Sequence, residues 1–283
     1  MNEMHHTRTD KKHVLQWLDA GKAGHDGARV HALVKGDDVE IYVIAEGSGM
    51  PIVLLPSRGR DSEDYDDVAA RLARAGYRVL RPQPRGVGRS TGPMTSLTLH
   101  DLAGDIALVI RAMSDEPAVV VGHAFGNWVA RMTATDYPDL VRGVVIAAAA
   151  AKQFPAVLSE YVNKSADMSL RAAERLHYLR ITFFASGNDP TAWLQGWYPR
   201  VSESQRLAGQ ATMQAEWWAG GSAPMLDLQA EADPFKPADK RNELKEEFGS
   251  RISVALVANA SHALLTEQPA AVATAIDEWI STL

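Results

Sequence analysis

The stretch of sequence that decides the fold is Val119-Val120-Val121-Gly122-His123-Ala124-Phe125-Gly126-Asn127-Trp128-Val129-Ala130. The β-branched run predicts a short strand, and the apolar spacing that follows predicts a helix. Between them, Gly122 and Gly126 allow a sharp turn, because glycine has no Cβ to clash in a tight bend. Such a turn exposes its central side chain at the edge of a sheet, and that residue is Ala124. The stretch therefore predicts a site whose most exposed position carries no hydroxyl group.

Length, composition and charge limit the class of protein. The chain has 283 residues, of which 46% are hydrophobic and 23% charged, which favours one large α/β domain over disorder or membrane spans. A net charge of −6 argues against nucleic acid or an anionic membrane as a partner. The lack of cysteine excludes a cysteine nucleophile and thiolate zinc sites. We expect a monomer or homodimer that binds a small-molecule substrate without a cofactor or metal.

The first residues are polar. Residues 1–26 contain no apolar run as long as that of a secretory signal, so the sequence predicts a cytoplasmic protein. We interpret residues 1–27 as an N-terminal extension, within which residues 13–19 are predicted to form a short amphipathic helix. The adjacent His5 and His6 are interpreted as tail residues without a role.

Strand and helix patterns alternate along most of the chain. Apolar runs separated by amphipathic stretches predict an α/β fold with a doubly wound, mostly parallel sheet and crossover helices. The pattern changes over residues 151–223, where helical stretches rich in aromatic residues occur without a clear strand. The sequence thus predicts a core made of residues 28–150 and 224–283, with a helical insertion at residues 151–223.

Local signals predict individual elements within the core. Two apolar runs around a Gly-Asp-Asp turn predict a β-hairpin over residues 29–45. Residues 62–75 are predicted to form a helix, with Ser62 as the N-cap and Gly76 after its last turn.

Four segments resemble, in chain order, motifs of the α/β-hydrolase fold superfamily. They are Leu54-Leu55-Pro56-Ser57-Arg58-Gly59, Gly122-His123-Ala124-Phe125-Gly126, Ala230-Glu231-Ala232-Asp233-Pro234-Phe235-Lys236-Pro237 and Asn259-Ala260-Ser261-His262. They resemble the oxyanion loop, the Gly-x-Ser-x-Gly nucleophile elbow, the segment with the catalytic acid and the segment with the catalytic histidine. The resemblance covers residues 28–283. It departs from the family pattern at Ala124, at Pro56-Ser57 in place of the usual His-Gly, and at Ala230 in place of glycine.

The resemblance assigns a catalytic histidine and acid. Acyl transfer needs an imidazole that removes a proton and a carboxylate that holds the imidazole in the correct tautomer. Asp233 and His262 each follow a predicted strand, so both are expected at the carboxyl edge of the sheet. Asp227 and Glu231 are alternatives for the acid, but Asp227 lies within a predicted strand and Glu231 comes two residues early.

The oxyanion hole implied by the resemblance consists of the backbone N–H groups of Arg58 and Phe125, which are independent of the side chain at position 124. Arg58 has a second candidate role, because its guanidinium is suited to holding a substrate carboxylate. A solvated surface arginine is the alternative. Ser57 is a candidate replacement hydroxyl on the same loop.

The helical insertion stands where the superfamily places its cap over the active site. Aromatic residues of a cap belong either to its own core or to the substrate pocket. The candidate substrate contacts are Trp128 of the elbow helix and the insertion residues Trp193, Trp197, Trp217 and Trp218. We expect at least one or two of the four insertion residues to face the cleft.

Ala124 leaves two accounts of the chemistry open. In the first, alanine replaces the serine of a hydrolase and stops turnover. In the second, alanine is native, and His262 with Asp233 acts as a general base on water or on a substrate C–H or O–H bond. A third possibility is a binder of small molecules without catalysis.

The resemblance also limits the substrate class. The expected substrate has a carbonyl group and an apolar or aromatic body: an ester or lactone first, and a diketone cleaved at a carbon–carbon bond second. Haloalkane dehalogenation and the usual epoxide opening are disfavoured, because both need a carboxylate at the elbow.

Overall fold

A computed structural model of the protein describes residues 13–19 and 28–283. The interpretation of His5 and His6, and most of the proposed N-terminal extension, lies outside these residues. The described strands are β1 Val14–Trp17, β2 Val30–Lys35, β3 Glu40–Glu46, β4 Pro51–Leu55, β5 Arg78–Pro82, β6 Ala118–His123, β7 Val141–Ala147, β8 Met225–Ala230 and β9 Ile252–Val257.

Helices connect most of the strands. The α-helices are α1 Asp66–Arg74, α2 Leu99–Met113, α3 Phe125–Asp136, α4 Ala156–Ala166, α5 Ala172–Thr182, α6 Pro199–Gln210, α7 Gln214–Trp217, α8 Glu243–Phe248, α9 Leu264–Glu267 and α10 Pro269–Ile280. Among the described residues, no helix is both long and apolar enough to cross a lipid bilayer.

The strands form one sheet in the order β1-β2-β3-β5-β4-β6-β7-β8-β9. The first three strands and the β3–β5 pair are antiparallel, whereas β5, β4, β6, β7, β8 and β9 run parallel. The predicted hairpin over residues 29–45 is confirmed by the β2–β3 pairing. The α/β fold with a mostly parallel sheet is likewise confirmed.

Both faces of the sheet are covered, which explains why β4 is apolar throughout. Val53 packs in the cluster that contains residues of α2 and α3, and its neighbours Ile52 and Leu54 pack with residues of α1 and α10. Successive side chains of a strand point to opposite faces. A strand covered on both sides is therefore apolar at every position.

The structure corrects the prediction of a helix over residues 13–19. Residues Val14–Trp17 form an edge strand that pairs antiparallel with β2. Val14 and Gln16 are exposed, whereas Leu15 and Trp17 pack against the core. This alternation has the period of a strand, and the backbone pairs with the open edge of β2.

The start of the helix predicted at residues 62–75 also differs from expectation. The capping side chain is Asp61, whose carboxylate accepts a hydrogen bond of 2.9 Å from the backbone N–H of Glu63. The first turn, Ser62–Tyr65, is a 3₁₀ helix, and the α-helix begins at Asp66. Aspartate and serine are equally good N-cap residues. The local backbone conformation therefore decides that Asp61, and not Ser62, caps this helix.

Residues 151–223 contain α4 to α7 and no described strand. Arg60, in the loop after β4, connects the core to this helical insertion. Its guanidinium lies over the rings of Trp193 and Trp197, at 4.5 and 4.8 Å from the ring centroids. It also pairs with Asp64 at 2.6 Å and donates a hydrogen bond to the carbonyl oxygen of Gln195. This buried arginine fixes the insertion beside the carboxyl edge of the sheet.

Candidate active site

The turn between β6 and α3 is as sharp as the glycine spacing predicts. Ala124 has a φ of 48°, a left-handed value that non-glycine residues rarely adopt. A Cβ at Gly122 would lie 2.3 Å from the carbonyl oxygen of Gly126, and one at Gly126 would lie 2.6 Å from that of Leu55. Both contacts are far too short for a carbon atom, so glycine is required at both positions. The turn presents Ala124 at the end of the strand.

Ala124 lies on the wall of a cavity of about 330 Å³. The core and the helical insertion both contribute to this wall. The lining residues are Ser57, Arg58, Ala124, Phe125, Asn127, Trp128, Ala150, Phe154, Ser159, Val162, Asn163, Phe183, Arg206, Gly209, Gln210, Phe235 and His262. The candidate oxyanion loop, the elbow and the histidine segment therefore meet at one cavity.

His262 and Asp233 form a hydrogen-bonded pair beside the elbow. The imidazole Nδ1 lies 3.0 and 3.1 Å from the two carboxylate oxygens of Asp233. Phe235 covers the imidazole ring, with 4.2 Å between ring centroids. No hydrogen bond joins Nε2 of His262 to a described residue, and His262 lines the cavity. This leaves the second ring nitrogen available to a molecule in the cavity.

The two alternative acids have other partners. Asp227 is fully buried in β8 and pairs with Lys236 at 2.6 Å. Glu231 is exposed and accepts a hydrogen bond of 3.1 Å from the backbone N–H of Asn259. The structure thus brings Asp233, and neither of its rivals, to His262.

The backbone N–H groups of Arg58 and Phe125 form no hydrogen bond with the described residues, whereas those of Gly59 and Asn127 do. The N–H of Gly59 donates to Gln205 at 2.7 Å, and that of Asn127 donates to the carbonyl oxygen of Ala124 at 3.1 Å. Since buried N–H groups are nearly always paired, two free donors at a cavity wall are suited to an incoming oxygen atom.

The side chains of the loop after β4 have separate environments. Ser57 is 4% exposed and lines the cavity, but no hydrogen bond joins its hydroxyl to His262. The Arg58 guanidinium donates a hydrogen bond of 2.7 Å to Oδ1 of Asn163 in the helical insertion. Arg58 is therefore not a freely solvated surface residue.

The tryptophans are distributed differently from the expectation. Trp128 lines the cavity and stacks on Trp217, with ring centroids 4.8 Å apart. The other four candidates are buried away from the cavity lining: Trp193, Trp197, Trp217 and Trp218. The expectation that one or two of these four face the cleft is therefore wrong in this structure. Their rings pack against each other, against Phe183 and against buried arginines.

His123 is a site residue that the sequence reasoning did not single out. Its Nε2 lies 2.6 Å from the carbonyl oxygen of His262, and its Nδ1 lies 2.7 Å from the hydroxyl of Tyr65. Complete burial, followed by the positive potential of His262, lowers the pKa of His123 to about 3. The histidine is therefore neutral at physiological pH. Its place in the elbow next to Ala124 was the only available signal.

Glu267 is a second residue that was not singled out. Its carboxylate accepts hydrogen bonds of 2.7 Å from the backbone N–H groups of Ala185 and Ser261 and from the side chain of Asn188. It thereby holds the loop before His262 against the helical insertion. Burial raises the pKa of Glu267, and these hydrogen bonds oppose the rise. Within residues 13–19 and 28–283, no three His, Cys, Asp or Glu side chains are grouped to hold a metal ion.

Curated proteins with similar sequences carry several hydrolase names. A 2-(acetamidomethylene)succinate hydrolase of Mesorhizobium japonicum is 26% identical over 195 residues, which make up 69% of this chain and 65% of that protein. A soluble epoxide hydrolase of Corynebacterium sp. is 30% identical over 115 residues, or 41% of this chain and 39% of that protein. The chain thus spans less than two thirds of the length of these relatives.

Solved structures and a family model identify the fold. The crystal structure of bromoperoxidase from Bacillus anthracis superposes with a TM-score of 0.74 at 18% identity, covering 89% of this chain and 99% of that one. At this identity the likeness shows the fold alone. The model of the alpha/beta hydrolase family matches residues 52–275, which is well over half of the chain. Sequence motifs, sheet topology and this match agree that the chain belongs to the alpha/beta hydrolase family.

Proposed function

We propose that this protein is an enzyme that hydrolyses a carbonyl substrate, an ester or a lactone, with His262 as general base. One observation carries the proposal: three residues line the same cavity, namely His262, which pairs with Asp233 through Nδ1, and Arg58 and Phe125, whose backbone N–H groups have no partner among the described residues. A base and an oxyanion hole are the two requirements of carbonyl hydrolysis.

The proposed reaction with Ala124 uses water as the nucleophile. Nε2 of His262 accepts a proton from water while the water oxygen bonds to the carbonyl carbon. The carbonyl oxygen gains negative charge and accepts hydrogen bonds from the N–H groups of Arg58 and Phe125. The C–O bond to the leaving alcohol then breaks, and the imidazolium returns the proton to the alcohol oxygen. Asp233 stabilises the imidazolium throughout.

The apolar body of the proposed substrate is supported by the cavity wall. Six of the lining residues are apolar or aromatic side chains of moderate or large size: Phe125, Trp128, Phe154, Val162, Phe183 and Phe235. A cavity of about 330 Å³ is at the lower end of the usual size of small-molecule sites. We therefore expect a substrate with one aromatic ring or a short aliphatic body.

Proton abstraction by His262 without hydrolysis is the second candidate, as in a lyase or isomerase. Ala124 itself favours it, because the position that normally forms the covalent intermediate has no oxygen atom. Epoxide opening is not proposed, although a relative is named an epoxide hydrolase, because the elbow has no carboxylate.

The test compares the Ala124 protein with its Ala124→Ser variant on a panel of aryl esters, lactones and β-diketones. Label from isotope-labelled water should appear in the product carboxylate of whichever form turns over, and His262→Ala should abolish that turnover. Product without label would point to the lyase or isomerase. Ligand binding without turnover by either form would leave only a binding protein.

A further inference from the structure

The charged residues of the cavity wall are all of one sign. Arg58 and Arg206 line the cavity, and no aspartate or glutamate among the described residues does. His262 is the remaining titratable lining residue, and it is paired with Asp233 on the side away from the cavity. The wall therefore combines apolar surface with two guanidinium groups.

Arg58 has no carboxylate partner among the described residues. Its guanidinium donates a hydrogen bond of 2.7 Å to the neutral amide oxygen of Asn163. Burial, followed by the nearby positive charge of Arg206, lowers the pKa of Arg58. Arg58 is half-buried at the cavity wall, and a partly desolvated cation that lacks a counterion is stabilised when an anion binds beside it.

Hydrogen bonds to two other residues of α6 hold the guanidinium of Arg206 in place. Glu203 accepts two hydrogen bonds from its guanidinium, at 2.7 and 2.8 Å, and Gln210 accepts a third at 2.8 Å. Arg58, Arg206 and Glu203 together carry two positive charges and one negative charge. One positive charge is left over at this end of the cavity, which matches a monoanion.

Building on the proposed function, we propose that Arg58, assisted by Arg206, binds a carboxylate group of the substrate. The substrate is then a carboxylic acid that also contains the carbonyl group attacked at the elbow. A carboxylate is the expected anion because the planar guanidinium forms two parallel hydrogen bonds with it. The backbone N–H of Arg58 faces the reacting carbonyl in the proposed function, so the carboxylate lies several bonds away, within reach of the extended side chain.

A binding experiment tests this site without requiring turnover. Phenylbutanoate and its neutral amide, phenylbutanamide, have nearly the same shape and differ in charge. Isothermal titration calorimetry on the Ala124 protein should give a Kd for the acid that is lower by about tenfold or more, since a charge-assisted hydrogen bond is involved. The preference should weaken as salt is added, because screening acts on the ionic part.

Variants localise the effect. Arg58→Gln should abolish the preference for the acid, and Arg206→Gln should reduce it. Arg180→Gln, at an exposed arginine of α5, is the matched control and should leave it unchanged. The melting temperature of Arg58→Gln, measured in parallel, detects any loss of folding. A second variant, Arg58→Lys, keeps the charge and should retain part of the preference.

The outcomes separate the two proposals. Equal binding of acid and amide, or a preference that survives Arg58→Gln, would overturn the carboxylate site while leaving the hydrolase proposal intact. Failure of both ligands to bind would overturn the carboxylate site, whereas the hydrolase proposal would fall only if neither form of the protein turned over the ester and lactone panel. His262→Ala should keep the preference for the acid, even though it removes the proposed base.

Discussion

The Nε2–H group of His123 donates a hydrogen bond of 2.6 Å to the backbone carbonyl oxygen of His262. The direction is determined by chemistry, because a carbonyl oxygen only accepts. Nδ1 of His123 must then accept from the hydroxyl of Tyr65, 2.7 Å away, and that hydroxyl in turn accepts from the N–H of Ser57 at 3.1 Å. One buried chain of hydrogen bonds thus joins the loop after β4, the elbow and the catalytic histidine candidate.

Removing the Tyr65 hydroxyl should break this chain. Tyr65→Phe leaves the N–H of Ser57 and Nδ1 of His123 buried without partners, and each such group costs about 1–3 kcal/mol. We expect the free energy of unfolding to fall by about 2 kcal/mol or more, measured by denaturant unfolding. Tyr178→Phe is the control, since no hydrogen bond joins that hydroxyl to a described residue. A loss no larger than that of the control would show that the chain does not stabilise the fold.

His123 should make the protein sensitive to acid. Burial and His262 lower its folded-state pKa from 6.5 to about 3, so between these values the unfolded chain binds a proton that the folded protein does not. The free energy of unfolding should therefore fall as the pH drops from about 6.5 towards 3. His123 contributes up to about 1.4 kcal/mol per pH unit to this fall.

The matching variant is His123→Gln, which keeps one acceptor and one donor but does not titrate. Its free energy of unfolding, measured at several pH values, should decline less steeply than that of the parent over this range. His177→Gln, at an exposed histidine of α5, serves as the control. Parallel curves for parent and His123→Gln would contradict the assignment.

Substitution of Asp233 should lower kcat strongly, whereas substitution of Glu231 should not. In whichever form turns over, Ala124 or Ala124→Ser, Asp233→Asn should lower kcat by roughly 10⁴-fold, by analogy with serine proteases, because the amide favours the wrong imidazole tautomer. Glu231→Gln keeps an acceptor for the N–H of Asn259 and should leave kcat within about a factor of two. Similar losses in both variants would refute Asp233 as the orienting acid.

The two glycines Gly122 and Gly104 should respond oppositely to the same substitution. Gly122→Ala places a Cβ 2.3 Å from the carbonyl oxygen of Gly126, so it should prevent folding or lower the melting temperature strongly. Gly104→Ala lies inside α2, where the nearest atom is the Tyr137 hydroxyl at 3.5 Å, and it should raise stability by about 0.5–1 kcal/mol. Differential scanning calorimetry of both variants measures this, and an unharmed Gly122→Ala protein would contradict the tight turn.

Local sequence was sufficient to predict the elbow and most strands of the sheet. The spacing of Gly122 and Gly126 is enough to predict the sharp turn. Only residues without a Cβ fit there, and the clash that a Cβ would cause is with neighbouring backbone atoms. The apolar run of β4 predicts a buried parallel strand, since its period depends only on which faces are covered. Asp233 and His262 were identifiable because each follows a strand, and parallel strands end at a common edge.

Tertiary structure decided what depends on partners distant in sequence. Residues 13–19 have apolar spacing that suits a short helix, yet Val14–Trp17 form a strand because β2 offers an unpaired edge. The sequence suggests that Trp193 and Trp197 face the cleft. In the structure their rings are buried and pack against the guanidinium of Arg60. Arg206 belongs to no recognisable motif, and His123 lies in the elbow motif without an assigned role; only the approach of α6 and of the His262 segment makes them part of the site. The sequence by itself determined the frame of the site, while long-range packing decided which side chains face the cavity, because burial is settled only when separate elements meet.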